Sequence, residues 1–214
     1  MIAHGWHFIR ATKKLGYGDN RLVRRGTLVY RGDEPIELCE RGLHASRRAL
    51  DAVNYAPGPI VCRVRLDGEI KEGDDKMVAT RRTVLWLADA TDLLFEFSCW
   101  VAEAALIGQI TQGFAVHPDS YAALVARRKF QRGEIAQAEL SAAESAAESA
   151  AWSAAESAAR SAARSAAESA ARSAARSAAE SAAWSAARSA AEDLQNAELE
   201  RRLWTLKPKG VRRA

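Results

Sequence analysis

The densest group of polar side chains in this chain is His44, Ser46, Arg47 and Arg48, placed where an extended segment gives way to a helical pattern. A helix start turns unpaired N–H groups outward, and guanidiniums beside it could hold an anion, with Tyr55 at the far end of the short helix. The alternative is a helix start capped by Ser46 with a hydrogen-bonded histidine beside it. His4 and His7 are three apart, which suits a shared metal on a helix, but their segment reads as a strand. Cys39, His44 and Cys62 could converge, yet no spacing supplies a fourth ligand. There is no phosphate-binding Gly loop, nucleophile elbow or zinc-type Cys/His spacing. No catalytic residue, metal ligand or cofactor is assigned, and the balance leans away from an enzyme.

The elements that must position these residues read as α+β. Gly5–Arg10 is a predicted strand, Lys13–Asn20 a basic loop, and Arg21–Arg25 and Thr27–Tyr30 further strands. Glu37–Cys39 is a short extended piece. Ser46 caps a helix over Arg47–Asn54 that buries Ala49, Leu50 and Val53, and Pro57-Gly58-Pro59 ends it. Ile60–Leu66 alternates strictly, with Ile60, Cys62, Val64 and Leu66 on one face and Val61, Arg63 and Arg65 on the other. Asp67-Gly68 and Gly73-Asp74-Asp75 read as turns, and Met77–Leu87 as another strand. Leu93, Leu94, Phe97, Trp100, Val101 and Ala104 follow a helical period over Asp92–Ile107, stopped at Gly108. A further helix, capped by Asp119 or Ser120, runs to about Arg132, and Gly133 breaks it.

From Ser141 to Glu192 the chain consists of Ser-Ala-Ala-X units, with X Glu, Arg or Trp, the last at Trp152 and Trp184. Half of it is Ala, and no Gly or Pro interrupts residues 134–207, so a long single α-helix is expected. Four residues turn a helix by about 400°, so X advances by roughly 40° per unit and no apolar stripe persists, unlike a coiled-coil seam. Trp152 and Trp184 come within about 40° of one face, roughly 48 Å apart. Both are candidate docking anchors on a second helix or on the globular block, as is Trp204 in the apolar end of the chain.

The 214 residues carry 31 Lys and Arg against 27 Asp and Glu. The surplus sits in a basic tail, Arg201, Arg202, Lys207, Lys209, Arg212 and Arg213, which could touch nucleic acid. Three widely spaced cysteines suit a reducing cytosol. The N-terminus lacks an apolar leader core and no apolar run approaches membrane-spanning length, so a soluble cytoplasmic protein with no membrane partner is expected.

The motif Leu38-Cys39-Glu40-Arg41-Gly42-Leu43-His44-Ala45-Ser46, with Ala49-Leu50-Asp51-Ala52, Tyr55-Ala56-Pro57-Gly58, Val64–Gly68 and Asp75-Lys76-Met77-Val78-Ala79, resembles a family of uncharacterised phage and prophage proteins. Members are similar in carrying low-complexity Ser/Ala-type repeats downstream, and the resemblance implies no activity. The order strand, Gly-Leu-His-Ala-Ser, short helix, alternating strand is also similar to the NAD-binding half of ADP-ribosyltransferase-like folds. That resemblance implies His7 or Arg10 on the first strand, with Ser46 and Tyr55 lining the nicotinamide side. The strand Met77–Leu87, where the family's glutamate belongs, has no acid, which implies a degenerate, non-catalytic relative.

The expectation is a small antiparallel or mixed sheet with flanking helices over 1–110, a helical connector over 111–140, the repeat helix over 141–192, and an amphipathic end with a basic tail over 193–214. Functionally it is a phage-type accessory protein: a binding head on a helical spacer or self-association element, with a protein partner or another copy as its partner. NAD binding through His44, Ser46, Arg47 and Tyr55, and nucleic-acid binding through the tail, are the alternatives.

Overall fold

The computed structural model describes the backbone of residues 2–16, 19–113, 115–152 and 173–211, with side chains at these positions except 173–186. The repeat is helical over 141–152 and again over 173–192; the rest of the expected single helix, 153–172, lies outside the described residues. Contacts divide the chain into two compact units, residues 1–94 together with 191–214, and residues 95–190. The stretch expected as a separate end, 193–214, is therefore part of the head.

The head is an antiparallel sheet of five strands: β1 (Ala3–Ile9), β2 (Gly26–Val29), β3 (Leu43–Ala45), β4 (Ile60–Glu72) and β5 (Met77–Asp89). β4 and β5 form the long central hairpin, closed by a turn in which the Gly73 N–H donates to the Lys76 carbonyl at 2.9 Å. β1 lies along the outer edge of β4. β3 and β2 share the outer edge of β5, pairing with Met77–Ala79 and Arg81–Val84 respectively. Just past β3, Ser46 and Trp6 exchange two backbone hydrogen bonds of 2.7 and 2.9 Å on the free edge of β1. The sheet thus curls until β1, β4, β5 and β3 nearly close a cycle. Gly5 permits that closure, because a Cβ there would stand 2.7 Å from the Ser46 carbonyl oxygen.

Alternation then sorts side chains between two faces. Ala3, Ile9, Ala45, Ile60, Cys62, Val64, Leu66, Met77, Ala79 and Val84 pack inside the curl. Trp6, Arg63 and Trp86 lie in register on the other face. Several expectations change here. Arg21–Arg25 forms no strand, only a bridge from Leu22 to Lys14, and Glu37–Cys39 is part of a turn bridged from Glu37 to Arg41. Asp67-Gly68 is a bulge within β4 rather than a turn, and the strand continues to Glu72 because the ladder to β5 resumes at Ile70.

The short helix α1 spans Ala49–Asn54, starts two residues later than expected, and receives no cap from its own Arg48. Ser46 does not cap it, because the helix begins at Ala49 and the N-cap position falls on Arg48. Two N–H groups of α1 are satisfied from the far end of the chain: the Leu50 N–H donates to Asn196 Oδ1 at 3.0 Å and the Ala49 N–H to Glu200 Oε1 at 3.2 Å. Asn196 and Glu200 belong to the C-terminal helix, whose Leu199 and Leu203 are fully buried. Trp204, at the start of a single 3₁₀ turn (Trp204–Leu206), completes a triangle of indoles with Trp6 and Trp86, with ring centroids 5.5–5.8 Å apart. The Arg63 guanidinium lies over Trp6 and Trp204 at 4.8 and 5.5 Å. Trp204 thus packs within its own head.

In residues 95–190, α2 (Thr91–Thr111, its first turn in the head) passes through Gly108 without stopping, and α3 spans Pro118–Gln131. The His117 ring, not Asp119 or Ser120, caps α3 by accepting from the Asp119 N–H at 3.3 Å. A helix labelled α4 covers 137–152, and α5, Ser173–Leu203, carries the chain back into the head. Arg128 of α3 reaches Glu103 and Glu96 of α2 at 2.9 and 3.7 Å, and Arg127 reaches Glu144 of α4 at 2.9 Å. By length and composition α2 is apolar enough to cross a membrane, although it contains no unbroken apolar run of that length. Glu96, Ser98 and Glu103 break up its apolar runs, but its mean hydropathy stays high.

Replacing Leu199 and Leu203 by Ala is expected to lower head stability by about 2–5 kcal/mol each, and Asn196→Ala by about 1 kcal/mol through loss of a cap. Urea unfolding followed by tryptophan emission measures this. Unchanged midpoints would mean that the C-terminal segment is not docked on the sheet.

Candidate functional site

The residues singled out at the strand-to-helix junction do not form one pocket. Ser46 is buried, with its backbone tied to Trp6. Arg47 is paired with Glu72 at 2.6 Å, and Arg48 with Asp193 at 3.1 Å. Tyr55 is 51% exposed and donates its hydroxyl to Asp75. Lys76 stacks its ammonium 4.0 Å from the Tyr55 ring, and hydrogen bonds with Tyr55 and Cys39 hold its pKa up. His44 is half-buried and accepts from the Cys39 N–H at 3.2 Å through Nε2. Thus Cys39, Tyr55 and Lys76 gather at the surface, while Ser46 and Arg47 are engaged elsewhere.

His4 and His7 occupy opposite faces of β1, three residues apart on a strand. Cys39 is exposed and Cys62 buried, and among the described residues no group of His, Cys, Asp and Glu is placed to hold a metal ion. Of the anchors, Trp152 is 71% exposed on α4 and Trp204 lies in the head's indole cluster, while the side chain of Trp184 lies outside the described residues. In the tail, Arg201 and Arg202 both bind Glu198 at 2.7 Å, which holds that carboxyl down at about 2. Lys207 donates to the Val211 carbonyl, Lys209 is exposed, and Arg212 and Arg213 lie outside the described residues.

The polar group that the fold does assemble is inside the curl. His7 pairs across the ladder with Cys62, and Arg82 stands opposite Leu66 on one side and Leu28 on the other. Arg82 is 2% exposed. Its Nη1 donates to the His44 carbonyl at 2.7 Å, while its Nε is buried with no partner. Burial brings this guanidinium down to about 10, so it stays charged at neutral pH. The same burial, then the charge of Arg82 and the proximity of His44, holds His7 well below its ordinary value and neutral. The Cys62 thiol is pushed up to about 12 by burial, which makes it a poor nucleophile. The group offers a fixed cation and a neutral imidazole, with neither a thiolate nor a paired acid and base.

Sequence reasoning named His7 as a weak metal candidate and as a first-strand NAD residue, named Cys62 as a weak metal candidate, and passed over Arg82. The available signal was a pair of arginines, Arg81 and Arg82, adjacent in a strand, one of which alternation must turn inward. Register shifts on either side of it in the β4–β5 ladder, between Asp67 and Ile70 and between Arg63 and Val64, hid its parity.

His4, His7 and His44 all titrate below the ordinary 6.5 in the folded head. The unfolded chain therefore binds protons first as pH falls. Stability is full above about 6.5 and is lost below it, and His7 contributes a slope of at most about 1.4 kcal/mol per pH unit. Urea midpoints at about pH 7.5 and about pH 5.5 should drop in the native chain and drop less in His7→Gln. An equal drop in the two would show that His7 is not held neutral.

No curated protein matches this chain, and no solved structure does. Residues 26–96 match a family described as a domain of unknown function, DUF7666, which spans β2 to the beginning of α2 and so includes His44, Cys62 and Arg82 but neither His7 nor the C-terminal helix.

Proposed function

We propose that this is a phage-type interaction protein of the bacterial cytoplasm, in which a binding head carries the Ser-Ala-Ala-X helices as a spacer and self-association arm. The observation that supports this is how the chain is anchored. α2 leaves the head directly after β5, and α5 returns to it, ending with Leu199 and Leu203 in the core and Trp204 against Trp6 and Trp86. Residues 95–190 are thus attached to the head at both ends rather than trailing from it. Trp152 stands 71% exposed on α4, a large apolar surface with no solubility role, and suits contact with a second copy.

Light scattering of the full chain should give the mass of a multimer. Trp152→Ala, combined with Trp184→Ala, should return it to a monomer with the melting temperature of the head unchanged. A wild-type monomer at every concentration would overturn the self-association role.

A second reading, nucleic-acid binding, is favoured by a different surface from the tail. Arg10, Lys13, Lys14, Arg24, Arg25 and Arg31 are exposed on the head and form no ion pair among the described residues, whereas Arg201 and Arg202 are engaged by Glu198. Duplex DNA affinity should then fall steeply with salt, and Arg24→Ala with Arg25→Ala should flatten the slope by about 2. Binding that is absent at low salt would dismiss this reading. Nothing in the arrangement favours NAD, because Ser46 and Arg47 of the expected pocket are otherwise engaged.

A further inference from the structure

Arg82 is a charge that this small sheet has no structural reason to bury alone. Its side chain is 2% exposed, it forms no ion pair among the described residues, and one of its nitrogens lacks any partner. The nearest acid whose field it feels, Asp19, is taken up by Arg21 through three hydrogen bonds of 2.6–3.0 Å. Its ladder partners are the apolar Leu28 and Leu66, its Nη1 meets the His44 carbonyl, and the side chains whose charge states feel it are His7, Cys62, the like-charged Arg21 and the paired Asp19. A buried cation without a counter-charge is strongly disfavoured, and an apolar residue of similar volume would usually serve the fold as well or better. Keeping it implies a use for its charge.

The surroundings indicate what that use is. His7, whose charge state feels Arg82, is only partly buried, unlike the core residues around it. A guanidinium has a planar fork of donors that matches the two oxygens of a carboxylate or phosphate, and a neutral imidazole next to it adds one more hydrogen bond without adding charge. Asp19, paired with Arg21, leaves the guanidinium free for another anion.

We propose that Arg82, buried in the curled sheet with an unpartnered Nε, is the charge partner for the oxyanion group of a small ligand, with His7 as the neighbouring polar group. The site is independent of the arm and of self-association.

The test is the melting temperature of the full-length chain titrated with inorganic phosphate and, separately, with acetate, at an ionic strength held constant with chloride. One of the two should raise it saturably, and which one does so separates a phosphate-bearing from a carboxylate-bearing ligand. Arg82→Met should melt at or above the native temperature and lose the anion-dependent rise. Should that variant fail to fold, Arg82→Lys, which keeps the charge but loses the fork, decides the matter: it should weaken binding by about tenfold or more. His7→Gln should weaken it less. No rise with either anion beyond the chloride control, or a rise that survives in Arg82→Met or is undiminished in Arg82→Lys, would overturn the proposal.

Discussion

A helix of six residues has nearly as many unsatisfied N–H groups as it has residues, and α1 begins without a cap of its own. On the outer face of the sheet, Trp6 and Trp86 are each 1% exposed and need apolar cover. One segment meets both needs. Asn196 and Glu200 accept the first N–H groups of α1, and Leu199, Leu203 and Trp204 close over the apolar surface between them. The contacts join residues about 150 positions apart in sequence. Arg63 belongs to the same arrangement: desolvated by burial and drawn toward Glu200, it lies across two indole faces. The head is therefore built from both ends of the chain, and its stability depends on a loop closure across the whole arm.

The strands β1, β4 and β5 use their two faces for different purposes. Odd-numbered positions of β1 and even-numbered positions of β4 from Ile60 to Leu66 enter the curl, and of the alternate positions Trp6 and Arg63 meet Trp204. Because the alternation is strict, the aromatic row Trp6–Arg63–Trp86 and the polar group His7, Cys62 and Arg82 are held by the same strands and cannot slip independently. A one-residue shift of β1 would place Trp6 inside and expose His7 with it.

Local signals made much of this legible in the sequence. The strict alternation of Ile60–Leu66 and the Gly73-Asp74-Asp75 turn located the central hairpin, and Ala content together with the missing Gly and Pro located helix on either side of the repeat's centre. What escaped was set by distant partners. Ser46 looked like a cap because Ser usually is one, but it pairs with Trp6 across the closing sheet and the helix begins only at Ala49, which leaves Arg48 at the N-cap. The helix end around Leu199 and Trp204 looked like a tip for another molecule, since nothing local reveals that an apolar segment has an intramolecular partner. Arg82 was illegible for a third reason: bulges in the β4–β5 ladder change which face each residue of β5 occupies, so alternation counted from Met77 points it the wrong way.

The return of the C-terminal helix also sets an order of events during synthesis. Residues 1–94 leave the ribosome with Trp6 and Trp86 uncovered, and Leu199 follows only after the whole of 95–190 has been made. At about 5–20 residues per second, that interval is roughly 5–20 s. For that time the nascent head presents an apolar aromatic surface, and the segment emerging behind it begins with the apolar α2 before the Ser, Ala and charge of the repeat. Every added Ser-Ala-Ala-X unit lengthens the wait. A chain broken off within the arm never ends it, and so remains a substrate for chaperones and proteases.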